Sequence, residues 1–183
     1  MELYLIRHPR PNIDAGICYG QTDVDVKPED MNAAIETLST LIPSNCEVWS
    51  SPLMRCRQLA EALHASPKFD DRLKEIHFGD WENKTWDQIG KHAVGQWAAD
   101  VINFIPPNGE SVANLRERVK TFLEILPLNR SVVIVTHGGV IRAIAGLLIN
   151  SNAGNWTQLS FGYASMSMIA RQKNGFELKK VIS

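Results

Sequence analysis

The chain has 183 residues, 44% hydrophobic and 21% charged, enough for one domain (1-183) with a full core and too apolar for a disordered segment. Its net charge of −1 shows none of the basic excess of a nucleic-acid binder, so no nucleic-acid partner is expected. No apolar run approaches membrane-spanning length, so no membrane is expected either.

The first apolar run, Glu2-Leu3-Tyr4-Leu5-Ile6, reads as a buried strand that ends on Arg7-His8. A loop of turn formers follows, including Pro9, Pro11, Asn12, Asp14, Gly16, Gly20 and Asp23, and runs to about Lys27. A helix is predicted from Pro28 or Glu29 to Leu41, with Met31, Ala34, Ile35, Leu38 and Leu41 on one face. Cys46-Glu47-Val48-Trp49 reads as a short strand. Ser51 suits an N-cap and Pro52 a first position for a second helix, Leu53 to His64. Leu73-Lys74-Glu75-Ile76 reads as a short extended segment before an irregular stretch from Phe78 to Asn83. Helical segments are predicted at about Thr85 to His92 and Val94 to Asn103, then a break at Pro106-Pro107-Asn108-Gly109.

Glu110 to Leu126 has the pattern of an amphipathic helix, with Val112, Leu115, Val119, Phe122, Leu123 and Leu126 inward. Ser131-Val132-Val133-Ile134-Val135 is a second buried strand, which delivers Thr136-His137-Gly138-Gly139 to its carboxyl end. A helix follows from Gly139 to Ile149. Met166 to Arg171 and Phe176 to Ile182 read as a hairpin turning at Lys173-Asn174-Gly175. Strands alternating with helices predict an α/β fold of three α/β/α layers around a mainly parallel sheet, with the hairpin as an antiparallel edge. The three cysteines, Cys18, Cys46 and Cys56, are odd in number and lack metal-ligand spacing. They predict reduced thiols in a cytoplasm, and Met1-Glu2-Leu3-Tyr4 lacks the positive start of a signal peptide.

Two histidines at the carboxyl ends of strands lie where α/β sheets bind ligands. With an arginine beside them they suit an anion, above all a phosphate, whose tetrahedral oxygens match the planar fork of a guanidinium. Arg7 adjoins His8, and Arg55 sits in the first turn of its predicted helix. Arg57, two positions on, points about 200° away around the helix, so Arg55 is the better candidate. Gly138 and Gly139 let the backbone approach an anion and open a helix, whose first N–H groups are free donors. A neutral imidazole in such a site can attack phosphorus, provided its other nitrogen donates to an acceptor. The leaving alkoxide then needs a proton, usually from a carboxylic acid. Glu75, Glu82 and Asp80 are the candidates.

Each residue alone has an ordinary reading: a hydrogen-bonded histidine, a solvated arginine, an exposed glutamate. His64, His77 and His92 keep that reading, because none precedes a glycine pair at a strand end. The chemical reading comes from the conjunction of several phosphate-suited residues at sheet-edge positions.

Four segments together resemble the histidine phosphatase superfamily, with its phosphoglycerate-mutase-like fold. They are Leu5-Ile6-Arg7-His8, Ser50-Ser51-Pro52-Leu53-Met54-Arg55-Cys56, Leu73 to Glu82, and Val135-Thr136-His137-Gly138-Gly139-Val140-Ile141-Arg142. The resemblance implies that His8 is the nucleophile. It implies that Arg7, Arg55 and His137 hold the phosphoryl oxygens. Glu75 matches the family's usual acid and is preferred over Glu82. No metal or cofactor is required.

The loop after His8 departs from the family's Arg-His-Gly-Glu-Thr: Pro9 removes a backbone donor and Arg10 replaces an acid. Arg10 either favours a more anionic substrate or faces water. Gly16-Ile17-Cys18-Tyr19-Gly20-Gln21-Thr22-Asp23 is similar to the Cys-Tyr-Gly-x-x-Asp segment of α-ribazole phosphatases. Pro106-Pro107-Asn108-Gly109-Glu110-Ser111 is similar to their Pro-Pro-Gly-Gly-Glu-Ser, a turn that either lines the substrate mouth or caps a helix. This implies a small-molecule phosphomonoester substrate, α-ribazole 5′-phosphate or cobalamin 5′-phosphate. A broad-specificity phosphatase and a phosphomutase-like phosphotransferase are the rival enzymes, and a non-catalytic sensor of phosphorylated ligands is the rival of another class.

Overall fold

Strands β1 (Glu2–Arg7), β3 (Cys46–Ser50), β4 (Lys68–Phe69), β6 (Ser131–Thr136), β7 (Met166–Gln172) and β8 (Gly175–Ile182) form one sheet in the order β4-β3-β6-β1-β7-β8. The computed structural model describes residues 2–127, 129–149, 156–173 and 175–182. The β4-β3, β3-β6 and β6-β1 pairs are parallel, whereas β7 and β8 run antiparallel. β2 (Ile17–Cys18) and β5 (Lys84–Thr85) form a separate two-stranded ribbon that the sequence pattern does not reveal.

β6 shows why the sheet holds. Val132, Val133, Ile134 and Val135 are all fully buried, because helices cover both faces and alternate residues serve opposite layers. Val132 and Ile134 join Leu3 and Leu5 beneath α5 (Val112–Leu123) and α6 (Gly138–Leu148). Val133 and Val135 join Ile6 and Val48 beneath α1 (Pro28–Ser39) and α2 (Met54–Leu63). Each such side chain contributes about 1.5–3 kcal/mol by leaving water. The three-layer α/β/α arrangement with a mainly parallel sheet and an antiparallel edge is therefore the observed one.

Several boundaries differ from expectation. The second helix begins at Met54, with Leu53 rather than Ser51 at its N-cap. Leu73 closes a 3₁₀ turn, Asp71–Leu73, capped by the Asp70 carboxylate, so the extended backbone begins at Lys74 rather than at Leu73. The helical stretch predicted over Thr85 to His92 breaks at Gly90 (φ 92°) into α3 (Trp86–Ile89) and α4 (Lys91–Ala99). The first of these is held by a reciprocal Thr85–Gln88 cap. Asn174, the predicted hairpin turn residue, lies outside the described residues, but β7 and β8 pair from Met166↔Ile182 to Gln172↔Gly175. Among the described residues the cysteines are unpaired, and no helix is long and apolar enough to cross a membrane.

Candidate active site

β3, β6 and β1 are neighbours and parallel, so their carboxyl ends share one edge of the sheet. His8 N donates to Thr136 O (3.0 Å) and Ser51 N to Val135 O (3.0 Å), which carries the ladder one residue past each strand. The two histidines following β1 and β6 therefore meet. Their rings stand 5.0 Å apart between centroids, and both are buried.

His8 Nδ1 lies 2.6 Å from the Pro9 carbonyl. A carbonyl only accepts, so Nδ1 carries the proton and Nε2 keeps its lone pair. Burial first, and then the charges of Arg55 and Arg7, lower the pKa of His8 to about 3, against the opposing effect of the Pro9 bond. Burial likewise holds His137 well below its ordinary range, with Arg55 and His8 adding to the effect. Both imidazoles are neutral at pH 7. Pro9 thus costs a backbone donor but supplies the acceptor that orients His8.

Arg55 is fully buried. Its Nη1 donates to Thr22 O (2.8 Å) and its Nη2 to Gly20 O (2.7 Å), which leaves Nε buried and without a partner. Gly20 admits this approach: its φ is 40°, and a Cβ there would lie 2.9 Å from Ile76 O. Arg7 repeats the pattern. Its Nη1 donates to Phe161 O (2.7 Å), its guanidinium stacks 3.8 Å from the Tyr163 ring centroid, and its Nε is buried and unpartnered. An unpaired buried donor costs about 1–3 kcal/mol, so two cationic ones in one site fit an anion that takes both.

Glu75 accepts from Ile76 N (3.0 Å) and, with its other oxygen, from Gly139 N (3.1 Å) at the start of α6. A Cβ at residue 139 would collide with that carboxylate, which explains the second glycine of the pair. Gly138 is buried at the first position of α6, and a Cβ there would lie 3.4 Å from Arg7 Nε. The first helical N–H groups thus face the same space as the guanidiniums.

The structure separates the other candidates from this cluster. Glu82 accepts from Gln21 N, Phe78 N and the Thr22 hydroxyl, tying two loops together. Asp80 is held by the Asn108 amide, and Arg57 pairs with Glu61 on the surface. The Gly109-Glu110-Ser111 turn serves the fold: Ser111 caps α5, and Glu110 pairs with Arg118 and accepts from His77 N. Arg10 is exposed, with its guanidinium 5.7 Å from the Tyr163 ring centroid. His64 accepts from Ser66 N, His77 lies 3.9 Å from Glu82, and His92 is exposed. Among the described residues no three His, Cys, Asp or Glu side chains gather as a metal site needs.

Three side chains at the site escaped the sequence reading. The Ser51 hydroxyl lies 2.8 Å from His137 Nε2. The Tyr19 and Tyr163 hydroxyls meet at 3.1 Å, with the Arg55 guanidinium 5.2 Å from the Tyr19 ring centroid. Nothing local in the sequence signals the contact between Tyr19 and Tyr163.

A family model described as the histidine phosphatase superfamily (branch 1) matches residues 3–183. The glucosyl-3-phosphoglycerate phosphatase of Mycolicibacterium vanbaalenii is 31% identical over 190 residues, covering 92% of this chain and 84% of that protein. The adenosylcobalamin/alpha-ribazole phosphatase of Salmonella typhimurium is 30% identical over 177 residues, covering 85% of this chain and 84% of that protein. The solved alpha-ribazole phosphatase of Shigella flexneri is similar with a TM-score of 0.87 at 25% identity, covering 100% of this chain and 96% of that one.

Proposed function

The chain belongs to the histidine phosphatase superfamily, and from that membership we infer that it hydrolyses phosphomonoesters through a phosphohistidine at His8. His8 Nε2 attacks phosphorus; the N–P bond forms as the bond to the leaving oxygen breaks. Arg7, Arg55, His137 and the N–H of Gly138 hold the three non-bridging oxygens as charge shifts among them. Glu75 gives its proton to the leaving oxygen. It then takes a proton from the water that attacks the phosphohistidine, which releases inorganic phosphate and restores His8. No step calls for a metal ion, because two guanidiniums already neutralise the phosphoryl group.

The two buried Nε–H donors without partners carry this reading. They are an electrostatic mould for an anion, set beside a neutral imidazole whose tautomer leaves Nε2 free. The test is to mix labelled phosphomonoester with enzyme and quench. Label that is stable in alkali, lost in acid and absent from His8→Ala is the expected result. Unlabelled parent protein that still turns over would refute the intermediate.

We assign α-ribazole 5′-phosphate, or cobalamin 5′-phosphate, as the substrate and the cytoplasm as the compartment. Support comes from the Cys18-Tyr19-Gly20 loop, which supplies the Arg55 acceptor at Gly20, and from the Salmonella relative. The relative that acts on glucosyl-3-phosphoglycerate favours a second reading, a phosphatase of broad specificity. Relative kcat/KM across a panel of phosphomonoesters decides between them: one ester far ahead supports the first, a flat profile the second.

A further inference from the structure

Beside Glu75 lies a cavity of about 360 Å³, within the size range of small-molecule pockets. Its wall is aromatic and aliphatic, with Phe78, Trp97 and Trp156 among its lining, and its charged groups are Glu75 and Arg142. Phe78 and Trp97 meet edge to face at 6.3 Å, and Trp86 stacks on Trp97 at 5.8 Å, so this wall is braced from behind. Arg142 donates from Nε to Leu159 O (2.7 Å), which anchors its guanidinium plane. The same hypothetical Cβ on Gly138 that nears Arg7 Nε would lie 3.6 Å from Arg142 Nη1. The cavity and the phosphate pocket therefore adjoin at the start of α6.

We propose that this cavity receives the alcohol portion of the substrate and selects a planar aromatic group on it, with Arg142 as the specificity-determining residue that donates to an acceptor atom of that group. The proposal rests on the reading of Glu75 as the acid for the leaving oxygen. In-line attack by His8 puts the leaving group on the far side of phosphorus, and the proton donor must touch it. Whatever space adjoins Glu75 then holds the rest of the alcohol. Rings placed against Phe78, Trp97 and Trp156 gain from burial and from edge-to-face contact, whereas a bare sugar leaves those walls wet. A small acid with several carboxylates would meet one guanidinium there and the Glu75 carboxyl.

Ribose 5-phosphate and a benzimidazole riboside 5′-phosphate share the same leaving 5′-oxygen on a ribose and differ by the ring. The parent enzyme is expected to favour the ring-bearing ester by about 30-fold or more in kcat/KM. Trp97→Ala and Arg142→Ala should each cut that preference about tenfold, mainly through KM of the ring-bearing ester. Trp97→Leu, which keeps apolar bulk, should fall between and guards against a folding defect in the alanine variant. A parent preference below about threefold, or one that survives both alanine variants, overturns the cavity assignment while phosphohistidine chemistry stands. Turnover that persists in His8→Ala, or no hydrolysis of either ester, instead overturns the reading beneath it.

Discussion

Arg55 lines the proposed phosphate pocket and Arg142 the cavity beside it, yet they are held very differently. On the floor, Arg55 is wholly buried and both terminal nitrogens are committed to carbonyls of the Gly20–Thr22 loop. At the mouth, Arg142 is half-buried and fixed through Nε to a single carbonyl. The floor comes from the ends of β1, β3 and β6, where a register error would move the core as well as the site. The mouth comes from short helices and loops around Phe78, Trp97 and Trp156. In the proposed reaction the chemistry that every substrate needs is built into the sheet, and the proposed selective contacts are built into segments able to vary without disturbing it.

Breaking the floor should have the largest effect. Arg55→Ala removes a phosphate donor and leaves the Gly20 and Thr22 carbonyls unpaired, so kcat/KM should fall about 10³-fold. Stability should fall by about 2–4 kcal/mol. Arg55→Lys should rescue little, because one ammonium cannot reach two carbonyls and an anion together. Steady-state kinetics with urea unfolding checks both effects. Activity within tenfold of the parent would show that the floor does not depend on this guanidinium.

Gly139→Ala tests the carboxylate instead. Alanine suits a helix better than glycine, so the fold should hold, but its Cβ collides with Glu75. The expected loss in kcat/KM, which reports the transfer to His8 and not the later hydrolysis, is about 10²-fold for alkyl phosphates and far less for p-nitrophenyl phosphate, whose leaving group needs no proton. Equal losses on both esters would mean that Glu75 is displaced from phosphate binding rather than from protonation.

The buried imidazoles predict an acid-sensitive fold. His8 takes a proton in the unfolded chain near pH 6.5 but resists it in the native site to about pH 3. Stability from this group is therefore complete above about pH 6.5 and is lost as pH falls from there towards 3. The loss by pH 4.5 is on the order of a few kcal/mol. In His8→Asn the slope of unfolding free energy against pH should shrink across this window by about one proton's worth. An unchanged slope would place the protonation elsewhere.

The difference between floor and mouth also governs what the sequence discloses. β1 and β6 are legible because burial on both faces leaves continuous apolar runs, and each hands over its histidine at a fixed point. Arg55 over Arg57 follows from helical phase alone. The choice among Glu75, Glu82 and Asp80 does not, since partners 60 and 61 residues away in the chain occupy Glu82. Ser51 reads as a cap because capping is a short-range rule, yet its partner, His137, lies 86 positions on. Gly90 splits the predicted helix at a φ that a periodicity count does not register. The four-segment resemblance reached farther than spacing did because it carries long-range geometry that local patterns lack.

The smallest expected effect lies where the two regions touch. Tyr19 comes from the loop that grips Arg55, and Tyr163 covers Arg7; their hydroxyls join these two halves of the proposed phosphate pocket. Both side chains are half-buried, so water can replace a lost hydroxyl and Tyr19→Phe should cost under about 1 kcal/mol of stability. The ring remains near Arg55, which preserves the phosphate donors and kcat. Only the closure weakens, so KM should rise about two- to fivefold. Tyr163→Phe should do the same, and the double variant should do no more than either alone, because all three remove one shared bond. Additive effects in the double variant would mean that each hydroxyl contacts substrate directly, which would move the tyrosines from the cover of the floor to the selective wall of the mouth.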